Sequence, residues 1–353
     1  MKQNSGKKWF INCIVILGIL LGLIWLMVYI FDPYFHFHKP YSFVSYRLHD
    51  ERYCNDGITR HFDYDALITG TSMSQNFKVS EIDNLYSVNA IKQPFSGAGY
   101  KELSENLDRA LQRNEKLRTV FWGIDYNAMI RDADWAAYEE YPTYMYDDNV
   151  WNDIAYVFNK DVLYHGVLPN IRMTLLGQES TSMDEYSAWD KDTGLEYILN
   201  NYDRDNVADY IPSELGAQEE ELVRENITQN IVQLVNKYPN TTFYLFYTPY
   251  SICYWDSLSQ EGSMLRQLEA ELITTELLLE CPNVRLYNFF EKHEVICNTD
   301  LYRDKEHYSA EVNSMILEWM LNDEYLVTKD NYKAKLQAEY GFYMNYDYDS
   351  IYE

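Results

Sequence analysis

Residues 66–72 read Ala-Leu-Ile-Thr-Gly-Thr-Ser, an apolar run that ends in glycine, threonine and serine. The run predicts a buried strand, and the pattern that continues to Leu85 predicts a following helix. A serine at such a turn stands at the edge of a sheet, where backbone N–H groups point outward. The same position also suits a helix N-cap, which is the commoner role of a serine after a strand. From this stretch alone, Ser72 is either a nucleophile or a cap.

Apolar strands and amphipathic helices alternate from Asp65 onwards. Parallel strands need crossover connections, which are usually helices. The alternation therefore predicts a mainly parallel sheet covered by helices on both faces. The expected fold class is α/β, a three-layer α/β/α domain over residues 65–321 with five strands, preceded by one transmembrane helix. Ligands of such sheets bind at the carboxyl ends of the strands. Strands are predicted at 66–69, 87–91, 119–124, 241–248 and 284–290, and helices at 100–113, 219–238, 263–279 and 309–321.

Three segments depart from this alternation. Residues 131–217 are rich in tyrosine and tryptophan, which predicts a large insertion or cap, and residues 32–64 are expected to be an irregular, membrane-proximal connector. Residues 322–353 form an acidic, tyrosine-rich tail, expected either to cover the domain or to move. Aromatic side chains of the insertion can stack on sugar rings, although we expect only one or two to line the cleft: Trp135, Tyr138, Tyr141, Tyr144, Tyr146, Trp151 and Trp189.

The segment from Trp9 to Phe31 is apolar apart from Asn12. At about 1.5 Å per residue it can cross a hydrocarbon core of about 30 Å, so it predicts a single transmembrane helix. Three lysines lie among residues 1–8, and the positive-inside rule places that end in the cytoplasm and everything after Asp32 outside. A cleaved signal peptide is the alternative, but the apolar stretch is too long and no small-residue cleavage site follows.

The chain carries 29 basic and 55 acidic residues. Without the three N-terminal lysines, the exterior part has 26 basic and 55 acidic residues. Such an excess repels nucleic acid and anionic lipid surfaces, so we expect no nucleic-acid partner. The acidity serves either solubility alone or a position beside a cationic or metal-rich polymer.

Candidate metal ligands are few. The five cysteines include no CxxC pair, and their spacing is compatible both with two disulfides and with free thiols. His36 and His38 have the spacing of a metal-binding pair on one strand face, but without a third ligand a structural role is favoured. We expect no metal ion and no cofactor.

Asp304-Lys305-Glu306-His307 stands just before the last predicted helix. A serine hydroxyl is a weak nucleophile until an imidazole removes its proton, and a carboxylate must hold that imidazole in the right tautomer. Asp304 and His307 supply this pair, which predicts a catalytic triad with Ser72. Taken alone, Asp304 can also cap the helix while His307 bonds locally.

The order of these pieces resembles that of the SGNH/GDSL hydrolase superfamily, over about residues 65–321. Gly70-Thr71-Ser72 stands where that family has its G-D-S nucleophile block, Ser96-Gly97 stands for the oxyanion-hole glycine, and the final D-x-x-H block is matched by Asp304 and His307. The resemblance implies a flavodoxin-like hydrolase fold and a serine esterase mechanism. It also implies that the N–H groups of Ser72 and Gly97 stabilise the tetrahedral oxyanion.

The third family block departs from the pattern. Where G-x-N-D is usual, residues 123–127 read Gly-Ile-Asp-Tyr-Asn. An ionised Asp125 would repel an oxyanion, so either Asn127 is the donor, or Asp125 is protonated, or Asp125 orients another group. Thr71, in place of the family's aspartate, is a second departure. Both Thr71 and Asp125 are expected to line the site.

A single membrane helix followed by such a domain resembles the D-alanyl transfer protein of teichoic acid synthesis and the polysaccharide O-acetylation proteins. This narrower resemblance implies an acylated cell-surface glycan or teichoic-acid-like polymer as substrate, and a membrane-bound O-acyltransferase as partner. The expected function is an extracytoplasmic serine esterase or O-acyltransferase of the acetyl or D-alanyl class. The alternative is a non-catalytic scaffold of the same fold that binds a surface polymer or the acyltransferase.

Overall fold

The structure is a computed structural model that describes residues 3–137, 142–147, 149–204 and 213–352. The chain divides into two compact units. Unit 1 comprises Met1–Phe62 and Glu140–Ser182, and unit 2 comprises Asp63–Glu139 and Met183–Glu353. The predicted insertion 131–217 is therefore shared between the two units rather than forming one cap.

Helices account for most of the regular structure in both units. Short 3₁₀ turns occur at Ser72–Ser74 and Tyr126–Ala128, and π-helical turns at Val162–Val167 and Thr228–Val232. The α-helices of the described ranges are α1 (Gln3–Phe31), α2 (Glu51–His61), α3 (Val79–Tyr86), α4 (Tyr100–Arg113), α5 (Ile154–Val157), α6 (Leu168–Leu175), α7 (Leu195–Leu199), α8 (Ala217–Ile227), α9 (Gln233–Lys237), α10 (Ile252–Glu261), α11 (Met264–Leu279), α12 (His293–Ile296), α13 (Ala310–Leu321) and α14 (Tyr332–Asn345).

Unit 2 is an α/β fold built on one sheet with the strand order β2-β1-β3-β4-β5-β6. The first five strands are parallel, and β6 runs antiparallel to β5. Every residue of β1 and β2 is buried, as expected of parallel strands covered on both faces. The strands are β1 (Ala66–Gly70), β2 (Ala90–Pro94), β3 (Thr119–Ile124), β4 (Thr242–Tyr247), β5 (Val284–Tyr287) and β6 (Leu326–Val327).

The mainly parallel α/β sheet is confirmed, but its strand count and one strand position differ from the prediction. The sheet has six strands instead of five, because the two residues of β6 are too few to show a period. The second strand begins at Ala90 rather than Ser87, because Ser87 ends α3 in a left-handed conformation with φ 55°.

The C-terminal tail is more regular than its sequence indicates. It contains β6 and the 14-residue helix α14, which packs against α11. Only Glu339 and Tyr343 of α14 are fully buried, so no apolar stripe marks the helix in the sequence. The Tyr343 ring stacks on Trp255 with ring centroids 3.8 Å apart.

Unit 1 joins α1 to two distant segments of the chain. The Ser45 amide donates to Thr174 Oγ1 over 2.9 Å, and the Thr181 amide donates to the Tyr46 carbonyl over 3.0 Å. Residues 51–61 of the predicted irregular connector form α2, whose Gly57 allows close approach to the Tyr34 carbonyl. Within the described residues, the segment Gly6–Phe31 is the one helix long and apolar enough to span a membrane.

A buried acidic pair attaches α14 to the rest of unit 2. The Asn288 side-chain amide donates to Glu271 Oε1 over 2.6 Å and to Glu339 Oε2 over 2.7 Å, and both glutamates are fully buried. Burial raises the pKa of Glu339 to about 8, although Asn288, Glu271 and Lys335 oppose the shift, and burial together with the Glu339 charge raises the pKa of Glu271 well above its ordinary value. The folded protein therefore keeps a proton that the unfolded chain releases.

We predict that the free energy of unfolding falls as the pH rises between about 5 and about 8. In this window the unfolded chain has lost the Glu339 proton that the folded state retains, so each pH unit costs up to about 1.4 kcal/mol for one proton. The Glu339→Gln variant cannot ionise and should show a flatter dependence in urea unfolding at several pH values. The exposed Glu324→Gln variant is the matched control and should follow the wild type; parallel curves for all three proteins would contradict the buried pair.

Candidate active site

Ser72 stands in a tight turn directly after β1. Gly70 ends the strand at φ +151°, a conformation that favours glycine, and a Cβ there would lie 3.3 Å from Ser74 Cβ. Thr71 caps the 3₁₀ turn by accepting a hydrogen bond from the Met73 amide, and the Ser74 hydroxyl donates to the Thr71 carbonyl over 2.8 Å. The cap is therefore Thr71, which leaves the Ser72 hydroxyl available for another partner.

That partner is His307. Ser72 Oγ lies 2.7 Å from His307 Nε2, and His307 Nδ1 lies 2.9 Å from both carboxylate oxygens of Asp304. The turn that carries the pair is closed by a β-bridge between Tyr302 and Tyr308. Ser72 and His307 are 235 positions apart in the sequence. The fold thus brings the three predicted triad residues into one continuous hydrogen-bonded chain.

The Asp304 carboxylate and the His307 imidazole adjust each other's protonation. Burial would raise the pKa of Asp304, but the hydrogen bonds and charge of His307, with the amides of His307 and Glu306, hold it below its ordinary value. Burial would lower the pKa of His307, but the Asp304 hydrogen bond and charge, aided by Glu306 and Asp125, raise it. Asp304 is therefore an ionised acceptor that favours the Nδ1–H tautomer and leaves Nε2 to accept a proton from Ser72.

Asp125 has a supporting position in the structure. It is 3% exposed, and its carboxylate accepts hydrogen bonds from Thr71 (2.7 Å), Thr248 (3.1 Å) and Tyr250 (3.0 Å). Burial raises its pKa to about 6, although the three hydroxyl donors oppose this shift. Of the three arrangements considered for Asp125, the contacts match the one in which it orients another group, namely the Thr71 cap beside Ser72.

The cleft at Ser72 has a volume of about 190 Å³. Among the described residues, no hydrogen bond engages the amide N–H of Ser72 or that of Gly97, and both residues line the cleft. Asn127 lines it too; its Oδ1 accepts from the Tyr254 hydroxyl over 3.1 Å, which leaves Nδ2 free to donate. The other lining residues are Thr71, Met73, Ala98, Asp125, Ala128, Arg131, Trp135, Tyr250 and Glu306.

Sequence reasoning missed Thr248, Tyr250 and Arg131 as residues around the site. The first two follow β4 directly, so a search of all strand ends would have found them, whereas no sequence signal singles out Arg131. Trp189 is the second aromatic residue of the insertion near the triad, because its ring lies edge to face against His307 with centroids 6.1 Å apart. Of the other candidate aromatics, Tyr138 and Tyr141 lie outside the described residues.

The loop that carries Trp189 is held near the segment after Ser72 by polar contacts. The buried Lys92 ammonium donates to the carbonyls of Gln75, Phe77 and Asp184, and the Trp189 amide donates to Asn76 Oδ1 over 2.9 Å. The segment after Ser72 and the loop before Trp189 therefore share one buried cation.

The histidine pair and the cysteines occupy other places. In unit 1, His36 Nε2 lies 2.7 Å from Asp153 Oδ1, and His38 Nε2 lies 2.6 Å from the Tyr29 carbonyl. Both imidazoles therefore connect the end of α1 to its surroundings. All five cysteines are free thiols in this structure.

We predict that Asp304→Asn lowers the pKa of His307, because it removes the bonded charge that favours the protonated imidazole. Glu306→Gln should lower this pKa less, since Glu306 acts through space without a bond to the ring. An NMR titration of the histidine ring protons, with the His307 signal assigned from His307→Gln, measures both shifts. Equal shifts in the two variants would contradict a directly bonded Asp304–His307 pair.

No protein-family model matches the chain, and no curated protein matches it. Among solved structures, it is similar to a protein described as "a putative platelet activating factor from Streptococcus pneumonia". The identity is 12% over 77% of this chain and 90% of that chain, with a TM-score of 0.40. A likeness at this level does not identify a family.

Proposed function

We propose that unit 2 is a serine esterase or O-acyltransferase in which Ser72 is the nucleophile. The observation that carries this proposal is the unbroken chain from Ser72 Oγ through the His307 imidazole to the Asp304 carboxylate. A structural role does not require a serine hydroxyl, an imidazole with raised pKa and a carboxylate with lowered pKa in this order, whereas acyl transfer does.

In the proposed mechanism, Ser72 Oγ attacks an ester carbonyl while His307 Nε2 takes its proton. Asp304 stabilises the resulting imidazolium, and the N–H groups of Ser72 and Gly97, with Asn127 Nδ2, donate to the oxyanion. The imidazolium then returns the proton to the departing alcohol. Water or a polymer hydroxyl then loses its proton to the same imidazole and attacks the acyl carbonyl, and His307 returns that proton to Ser72 Oγ as the bond between Oγ and the acyl group breaks. Attack by water completes hydrolysis, and attack by a polymer hydroxyl completes transfer.

We further propose the SGNH hydrolase fold for unit 2, with three α/β/α layers. The parallel strands follow the order β2-β1-β3-β4-β5, which is the order of flavodoxin-like sheets. Ser72 follows β1, Gly97 follows β2 and Asn127 follows β3, so all three lie beyond carboxyl ends of strands. This position is where ligands of open α/β sheets bind, and it supports the assignment.

The proposed substrate is an acyl ester of a cell-envelope polymer, such as an acetylated glycan or a D-alanylated teichoic-acid-like chain. A cleft of about 190 Å³ suits a small acyl group better than a long lipid chain. With α1 as a membrane anchor and its lysine-rich start in the cytoplasm, unit 2 would work outside the cell membrane. A membrane-bound O-acyltransferase is the proposed partner that would supply or receive the acyl group.

A non-catalytic scaffold is the second candidate, favoured by one observation. Asp125 occupies the third family block as a buried structural carboxylate, whereas an asparagine donor is usual there. In the scaffold, the Ser72–His307 contact would be a remnant that only helps to hold the loops.

We predict that a fluorophosphonate probe labels the wild-type protein, because His307 activates the Ser72 hydroxyl. Ser72→Ala and His307→Ala should abolish labelling, and Asp304→Asn should slow it by several powers of ten. Ser74→Ala, in the same turn, is the control that should keep the label. Absence of labelling in folded wild-type protein, judged by circular dichroism, would favour the scaffold.

We also predict a specific role for Asn127 in turnover of a small acetyl ester. Asn127→Ala should lower kcat by about 10²–10³ with little change in KM, because an oxyanion donor acts mainly in the transition state. Tyr254→Phe removes only the hydroxyl that holds Asn127 Oδ1 and should have a smaller effect. An unchanged kcat in Asn127→Ala would contradict a role for Asn127 as oxyanion donor, and only the backbone amides of Ser72 and Gly97 would then remain as donors.

A further inference from the structure

Unit 1 exposes an unusual number of large apolar side chains outside α1. Among the described residues, ten lie in the part of unit 1 that follows α1, and five lie in the much larger unit 2. The side chain of Trp151 is 87% exposed, and that of Leu175 is 81% exposed. Scattered apolar residues on a surface are ordinary, but a concentration of this kind marks an interaction site.

These side chains follow helical spacing. Trp151, Ile154 and Phe158 are three and four residues apart across α5, and Tyr164, Leu168 and Leu175 are four and seven apart across the π-helical turn and α6. Ile154, Leu168 and Leu175 belong to α-helices, Tyr164 lies in the π-helical turn, and Trp151 and Phe158 flank α5. We call these six residues the apolar platform.

Close contacts tie this segment to the end of α1. The Tyr156 hydroxyl donates to Asp32 Oδ1 over 2.9 Å, and His36 Nε2 lies 2.7 Å from Asp153 Oδ1. Gly166 is so close to Pro33 that a Cβ would lie 2.6 Å from its ring. The segment that carries the platform is therefore held against the end of α1.

The length of α1 places that point at a membrane surface. About 20 residues at about 1.5 Å each cross a hydrocarbon core of about 30 Å, so a helix that enters near Trp9 leaves near Val28. Val28 is fully buried by unit 1, whereas residues 14–17 of the same helix are exposed. Protein packing on α1 thus begins where the lipid is expected to end.

The charge of unit 1 opposes a lipid contact less than the charge of unit 2 does. Unit 1 beyond α1 has six basic and ten acidic residues, whereas unit 2 has 20 basic and 45 acidic residues. Within the platform segment, Lys160 and Arg172 balance Asp153 and Asp161, and both basic side chains are exposed and long enough to bring their charge to lipid phosphates. Tryptophan and tyrosine with flanking basic residues are typical of the membrane interface.

We propose that the apolar platform lies in the lipid interface of the bilayer that α1 crosses, as a second, monotopic membrane contact. This inference rests on α1 being a membrane anchor and is independent of the chemistry at Ser72. The occupant of the exposed apolar face is the acyl and headgroup boundary of the leaflet around the end of α1.

The test is spin-label accessibility in the full chain reconstituted in phosphatidylcholine vesicles. Single cysteines replace Ile154, Leu168, Leu20 or the control Leu272 of unit 2, in a background with Cys13→Ser and Cys297→Ser. Labels at positions 154 and 168 should collide more often with oxygen than with a nickel chelate, as should the label at position 20. The label at position 272 should show the reverse, because it faces water.

Each other outcome overturns the proposal in a distinguishable way. Labels at 154 and 168 that prefer the nickel chelate would place the platform in water, and labels shielded from both reagents would show a protein contact such as a second copy. A label at position 20 that faces water would overturn the membrane anchor itself. Fluorophosphonate labelling of the same samples reports on the triad separately.

Discussion

The buried carboxylate of Asp125 joins the ends of three neighbouring strands. Asp125 follows β3, and its oxygens accept hydrogen bonds from Thr71, which follows β1, and from Thr248 and Tyr250, which follow β4. A carboxylate at 3% exposure is costly unless its oxygens are bonded, so the three hydroxyls must stay in place. Because Thr71 caps the turn of Ser72, the position of the Ser72 hydroxyl depends on this cluster.

The Asp304–His307 pair depends on a balance between hydrogen bonding and desolvation. The turn at residues 302–308 presents Asp304 and His307 together, and their mutual hydrogen bonds overcome the desolvation that acts on each group. Asp125 and Glu306 add negative charge that favours the imidazolium. The arrangement therefore stores electrostatic stabilisation for a cation at His307, which is the charge that forms when a serine proton is removed.

The α/β pattern and the members of the candidate triad could be read from local sequence, because strand and helix periods and the Ser72 and Asp304–His307 motifs are short. The supporting cluster could not, since Thr71, Asp125 and Tyr250 are separated by 54 and 125 positions and share no local pattern. The helix in the C-terminal tail could not be predicted for a related reason, because α14 buries a glutamate and a tyrosine rather than an apolar stripe. Its attachment through Glu339 and Asn288 is a tertiary contact.

The sequence by itself determined the alternation of the five parallel strands with helices, the apolar helix at the N-terminus and the residue types of the candidate triad, because each depends on neighbours within a few turns. Only the tertiary structure decided which side chains meet: Ser72 with His307, Asp125 with three hydroxyls, and Tyr156 with Asp32 at the end of α1. The physical reason is that buried polar groups must find partners wherever the chain brings them. Sequence distance does not limit that pairing, since a desolvated carboxylate or imidazole is stabilised by contact alone.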